Sequence, residues 1–213
     1  MYDLILFDLD GTLTIPEKGI TKSVQYALDA YGITENNQEK LKRFIGPPLV
    51  DGFMEFYNMT REDALGAVEK YRERFSDVGL FENELISGTR EMLQKLQTAG
   101  KRLALATSKP TPFTERIIKH FDIDGFFEFI SCSELDGTRN DKAEVIAEAL
   151  RLAKEYKNPV MVGDRMHDVV GAKKNGVPCI GVSFGYAKKG ELEENGAIEI
   201  VNSVEELTEL LLK

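Results

Sequence analysis

The feature that most restricts the fold of this chain is a set of short apolar runs that are continuous rather than alternating. Leu4-Ile5-Leu6-Phe7 is the clearest, and similar runs recur at Arg102 to Thr107, Phe127 to Cys132, Pro159 to Gly163, Pro178 to Val182 and, more weakly, Ile198 to Val201. A strand with water on one face alternates apolar and polar residues, whereas a strand covered on both faces does not. These runs therefore read as strands inside a parallel sheet. Between them lie helical patterns: Met92, Leu93 and Leu96 form one apolar stripe, and Ile146, Ala149, Leu150 and Ala153 form another. Ser203-Val204-Glu205-Glu206 has capping-box spacing and opens a last helix. Strands alternating with helices predict a doubly wound parallel α/β sheet.

One stretch breaks the alternation. From Ile15 to about Leu80 there is helical spacing, as at Val24, Ala27, Leu28 and Tyr31, and no convincing strand. Connections in compact domains usually run about 4–6 residues, so a stretch of roughly 65 residues is a helical insertion rather than a loop. The expected division is a core of residues 1–14 and 82–213 and a small helical domain of residues 15–81. Thr60-Arg61-Glu62-Asp63 starts its longest helix, with Ala64, Val68, Tyr71 and Phe75 on one face.

Composition then narrows the partners. The formal net charge of −9 leaves no basic excess to neutralise a nucleic-acid backbone or an anionic membrane, but a small anion needs only a few local cations. Cys132 and Cys179 have no metal-ligand spacing and read as reduced core thiols. The apolar run within Met1 to Asp10 is too short for a signal peptide or a membrane span, and Asp3 and Asp8 bracket it. The expectation is a soluble, cytoplasmic protein, either monomer or homodimer.

In open α/β sheets ligands bind beyond the carboxyl ends of the strands. Three of these ends are chemically loaded: Asp8-Leu9-Asp10-Gly11-Thr12 after the first strand, Thr107-Ser108 after the second, and Gly163-Asp164-Arg165-Met166-His167-Asp168 after the fourth. Lys142 opens the helix after the third. In order and spacing these four segments resemble the four motifs of the haloacid dehalogenase superfamily. The resemblance spans most of the chain and implies a Rossmann-like core, a small helical cap and Mg²⁺-dependent chemistry on phosphate monoesters.

The roles also follow from chemistry. A carboxylate that attacks phosphorus forms an aspartyl-phosphate and divides a difficult hydrolysis into two displacements, which suits Asp8. Asp10 can protonate the leaving oxygen and then take a proton from the attacking water. Asp8 and Asp164 supply the hard oxygens that Mg²⁺ prefers. The resemblance adds the backbone carbonyl of Asp10 as a metal ligand. Asp168 is expected to hold a metal-bound water or Lys142, and Lys142 offsets the crowded carboxylates. The Thr107 hydroxyl and the N–H groups near Leu9, Asp10 and Ser108 would bind the phosphoryl oxygens. Gly11 would let the chain turn closely around the phosphate. His167 reads as a turn or surface residue.

Asp10 separates this chain from the superfamily's dehalogenases, which lack that aspartate, and from its phosphonate-hydrolysing branch, which carries alanine there. The hinge Thr14-Ile15-Pro16-Glu17 is unlike that of the sugar-phosphate mutases. An insertion between the first two motifs resembles the cap of the phosphoglycolate phosphatase branch. Within it, Arg43-Phe44-Ile45-Gly46-Pro47-Pro48-Leu49 resembles a substrate-specificity loop found in phosphoglycolate phosphatases and in bacterial 5′-nucleotidase-like members. Arg43 meets either a substrate carboxylate or solvent. A phosphoglycolate phosphatase-like activity is the first expectation and a 5′-nucleotidase the second. The alternative from another class is a module that binds a phosphometabolite without turning it over.

Overall fold

The run Leu4–Phe7 forms strand β1, and all four side chains are buried. After it come β2 (Thr14–Ile15), α1 (Glu17–Asp29), α2 (Gln38–Lys42), α3 (Leu49–Tyr57), α4 (Arg61–Phe75), β3 (Glu84–Leu85), α5 (Thr89–Thr98), β4 (Arg102–Pro110) and α6 (Thr111–His120). The chain then makes β5 (Phe129–Ser133), α7 (Lys142–Ala153), β6 (Pro159–Gly163), α8 (Met166–Lys174), β7 (Cys179–Val182), α9 (Glu191–Asn195), β8 (Glu199–Val201) and α10 (Val204–Leu212). This computed structural model describes residues 1–213.

Six strands form one sheet in the order β5-β4-β1-β6-β7-β8, and every pairing is parallel. Residue period two divides the strand side chains between two faces. Leu4, Leu6, Ala104, Ala106, Met161 and Cys179 share a core with Val145, Ile146 and Ala149 of α7 and Val169 and Ala172 of α8. The alternate set, Ile5, Phe7, Leu103, Leu105, Val160, Val162 and Ile180, is buried as completely. Both faces are covered, which is why the runs do not alternate. The doubly wound α/β reading of the sequence therefore holds.

The chain divides into two compact units, Met1–Thr14 with Leu85–Lys213, and Ile15–Glu84. It crosses between them at Thr14–Ile15 and Glu84–Leu85, where β2 and β3 pair as a two-stranded ribbon. Neither two-residue strand is visible as a sequence pattern.

The second unit is helical. Ala64, Val68, Tyr71 and Phe75 of α4 are buried, and the Thr60 hydroxyl accepts from the Asp63 N–H at 3.1 Å, as the spacing predicts. On α1, Val24, Ala27 and Leu28 are buried. Tyr31 departs from the expected stripe: α1 ends at Asp29, and Tyr31 is exposed with its hydroxyl donating to Asp63 O at 3.0 Å. The Gly46-Pro47-Pro48 segment separates α2 from α3, and Phe44 packs against Phe53 and Phe56 with ring centroids 4.9 and 5.3 Å away.

The last helix differs in one detail. Ser203 caps α10 by accepting from Glu206 N at 3.1 Å, but the Glu206 carboxylate accepts from Asn202 N at 2.7 Å rather than closing onto Ser203. No helix is long and apolar enough to cross a membrane.

Candidate active site

Strand order reverses beside β1: β4 and β5 lie on one side, and β6, β7 and β8 on the other. The chain leaves β1 and β6 toward opposite sides of the sheet, and in open α/β sheets ligands bind beyond the carboxyl ends at such a reversal. Asp8 follows β1 and Asp164 follows β6, and the pairing of Phe7 with Val162 sets the two ends side by side. The Asp8 N–H still donates to Val162 O, at 2.9 Å. Lys142 is the first residue of α7, whose N-cap Asp141 accepts from the Ala143 N–H at 2.9 Å.

Lys142 is almost completely buried, and its ammonium bridges two carboxylates, 2.5 Å from Asp8 Oδ1 and 2.7 Å from Asp168 Oδ1. Burial alone would pull the ammonium toward neutrality. Asp168 and Asp8 more than reverse that and hold it above the ordinary lysine range. The other Asp168 oxygen accepts from the Arg165 N–H at 3.0 Å, at the start of α8. Asp168 thus holds Lys142, one of its two expected partners.

Asp164 is fully buried. Its Oδ2 accepts from the Tyr186 N–H at 2.7 Å, and its Oδ1 has no partner. Burial pushes this carboxyl well above the usual range, and Asp168 and Asp8 push it further. Oxygens of Asp8, Asp164 and Asp168 all lie within 4.8 Å of one another.

Asp10 belongs to the same loop, but its side chain turns to a different cation. Lys109 lies 2.6 Å from Asp10 Oδ2, and the Thr14 hydroxyl donates to Oδ1 at 3.4 Å. Burial raises the Asp10 carboxyl above its ordinary range although Lys109 opposes it, and Asp8 adds to the rise. Leu9 anchors the turn from inside: its side chain is buried, and its carbonyl accepts from the N–H groups of Leu13 and Thr14 at 2.9 and 3.0 Å. Gly11 has φ +87°, and a Cβ there would lie 2.1 Å from Asp164 Oδ2 and 2.8 Å from the Tyr186 ring. The space this glycine leaves is filled by Asp164 and Tyr186.

On β4 the register with β5 slips between Thr107 and Pro110, and such irregularities re-aim side chains. Thr107 is buried with its Oγ1 accepting from the Lys109 N–H at 3.3 Å, and the Ser108 carbonyl accepts from Ser133 Oγ at 2.7 Å. Arg43 belongs to the helical unit. Its guanidinium lies 3.8 Å over the Phe56 ring and pairs with Glu55 at 3.2 Å. His167 is exposed. Burial pushes the Cys132 thiol up to about 11 and the Cys179 thiol further, so neither is a ready nucleophile.

Sequence reasoning missed three participants. Lys109 stands two residues after Thr107, and only the slipped register shows that it meets Asp10. Tyr186 acts through its backbone, which leaves no trace in residue type. The Thr12 hydroxyl is buried without a partner beside the Asp8–Asp10 segment.

The cluster fits a divalent cation. Asp8, Asp10, Asp164 and Asp168 carry four carboxylates against the two ammonium groups of Lys109 and Lys142, an excess that one doubly charged ion would cancel. A buried carboxylate oxygen without a hydrogen bond is costly unless something else satisfies it. Asp164 Oδ1 is such an oxygen, and hard carboxylate donors suit Mg²⁺.

Known proteins resemble this chain in sequence and in fold. A family model described as haloacid dehalogenase-like hydrolase matches residues 5–182. A 5′-nucleotidase of Pseudomonas aeruginosa is 50% identical over 194 residues, covering 90% of this chain and 87% of the relative. The tyrosine-protein kinase PtkA of Mycobacterium tuberculosis is 36% identical over 211 residues, covering 98% of this chain and 72% of the relative. A predicted phosphatase from Clostridium acetobutylicum superposes with a TM-score of 0.95 at 43% identity, covering 100% of this chain and 99% of that one. The chain belongs to the haloacid dehalogenase-like hydrolases and is a phosphatase.

Proposed function

We propose that this phosphatase hydrolyses small phosphate monoesters through a covalent phosphoryl intermediate on Asp8, with Mg²⁺ as its metal and nucleoside 5′-monophosphates as its first substrate class. The observation that carries the reading is the Lys142 bridge between Asp8 and Asp168 beside the unpartnered oxygen of Asp164. Lys142 fixes one Asp8 oxygen, which leaves the other to attack phosphorus. As that bond forms, the bond from phosphorus to the leaving oxygen breaks, and Asp10 delivers a proton to the departing alkoxide. Water then attacks the same phosphorus, gives its proton to Asp10 and releases Asp8 as carboxylate.

The raised carboxyl of Asp10 suits this double duty, because a group that is both acid and base works best nearer neutrality. Thr107 and the N–H groups around Leu9, Asp10 and Ser108 face the phosphoryl oxygens in this reading, and Gly11 keeps Asp164 close enough to take part. Asp8, Asp164 and the Asp10 carbonyl would hold the Mg²⁺, with Asp168 supporting them through Lys142. When bound, the ion neutralises the phosphoryl oxygens and offsets repulsion between Asp8 and the substrate. The helical unit, residues 15–81 by the sequence reading, acts as a cap, with the loop at Arg43 selecting the substrate.

The relative at 50% identity supports a nucleoside monophosphate over phosphoglycolate. Comparing kcat/KM for the two substrates decides between them, and a higher value for phosphoglycolate reverses the assignment. Asp8→Asn should abolish Mg²⁺-dependent phosphate release from an aryl phosphate. Undiminished turnover in that variant removes Asp8 as the nucleophile. Tight binding of such phosphates by the wild-type protein without any turnover would revive the silent binding module.

A further inference from the structure

Glu191 opens α9, and its carboxylate is nearly buried yet touches none of the four aspartates directly. Its Oε1 accepts from Arg165 Nε at 2.8 Å and from the Met166 N–H at 2.9 Å, and its Oε2 accepts from the Lys188 N–H at 3.0 Å. Those donors come from two segments. Arg165 and Met166 lie between Asp164 and Asp168, and the Arg165 N–H itself donates to Asp168 Oδ2. Lys188 closes the loop after β7, in which the Tyr186 N–H holds Asp164 Oδ2 at 2.7 Å.

We propose that Glu191 is the positioning residue of the metal site, clamping the segment that bears Asp164 and Asp168 to the loop that orients Asp164. The clamp has little slack to absorb. A Cβ on Gly185 would lie 2.3 Å from Asp164 Cβ and 2.6 Å from the Gly11 carbonyl, so the loop already packs against the Asp164 side chain and the first strand's turn. Releasing Lys188 frees that loop, and releasing Met166 and Arg165 frees the start of α8. Either movement turns Asp164, and with it the Oδ1 that lacks a protein partner. Glu191 reaches the site through backbone groups and one guanidinium, so its effect falls on metal affinity rather than on the chemical step.

The inference rests on the reading of Asp164 as a metal ligand, and the experiment separates the two. Mg²⁺ is titrated calorimetrically into the full-length wild-type protein and into Glu191→Ala, Glu191→Gln, Arg165→Met and Asp164→Asn, with a thermal melt recorded for each. Removing a partner that orients metal ligands typically weakens the metal by about 10–100-fold, and Glu191→Ala should fall in that range. Glu191→Gln should lose less, since its amide oxygen still accepts one of the backbone N–H groups, and its KM for an aryl phosphate at saturating Mg²⁺ should match wild type. Wild-type Mg²⁺ affinity in folded Glu191→Ala overturns the proposal whatever its Tm. Should that variant not fold, unchanged affinity in both Glu191→Gln and Arg165→Met overturns it equally. Full Mg²⁺ binding by Asp164→Asn sinks the metal reading instead, and a wild-type protein that takes up no Mg²⁺ sinks both.

Discussion

A lysine buried between two carboxylates is tolerable only while all three are charged and close. Lys142 sits 2.5 Å from Asp8 and 2.7 Å from Asp168. Truncating one partner of a buried pair strands the other charge, at a cost of about 3–5 kcal/mol. Lys142→Met should therefore lower the unfolding free energy by about that amount in metal-free buffer, measured by urea titration, while Lys174→Met, which breaks an exposed pair with Asp141, should change it little. Asp10 is a different case, because its proposed work is proton transfer. Asp10→Asn should reduce kcat by about 10²–10⁴-fold, with the larger loss on alkyl esters, whose leaving groups need the proton most. Equal losses on alkyl and nitrophenyl esters would contradict the acid role.

At the scale of elements, one carboxylate ties the amino ends of β1 and β6. Asp3, just before β1, accepts from the backbone N–H of Lys157 at 2.9 Å and of Asn158 at 2.6 Å, just before β6. Burial pushes its carboxyl up, but those N–H groups pull it below the usual range. A lowered carboxyl binds its proton more weakly in the folded chain than in the unfolded one. The stabilisation is therefore complete above the unfolded pKa of about 3.9 and is lost as pH falls through the folded value. Urea midpoints measured from neutrality down through that range should fall less steeply for Asp3→Asn than for wild type, and parallel curves would contradict the assignment. The strands of the six-stranded sheet were readable because burial on both faces writes an unbroken apolar run, whereas β2 and β3 carry no such run. Asp8, Asp10 and Asp164 were readable because they follow the ends of β1 and β6, and Lys142 because it opens α7, each at a motif's spacing. Lys109 and Glu191 were not, since a slipped register delivers the first, and the second meets its guanidinium partner 26 residues away in sequence.

On the scale of the whole molecule, a parallel sheet that reverses order beside β1 brings together side chains from distant parts of the chain. Lys142 and Asp8 are 134 residues apart in sequence and in contact in the fold. The helical unit, Ile15–Glu84, is inserted just after the Asp8–Thr12 turn. An acid quench of the wild-type protein during turnover of an aryl phosphate with Mg²⁺, followed by intact mass and peptide mapping, would trap the proposed aspartyl-phosphate itself. One phosphoryl group per chain, confined to the peptide bearing Asp8 and absent from Asp8→Asn, is the predicted result. Phosphorylation of any other residue, or steady turnover by Asp8→Asn with no covalent adduct, would contradict it.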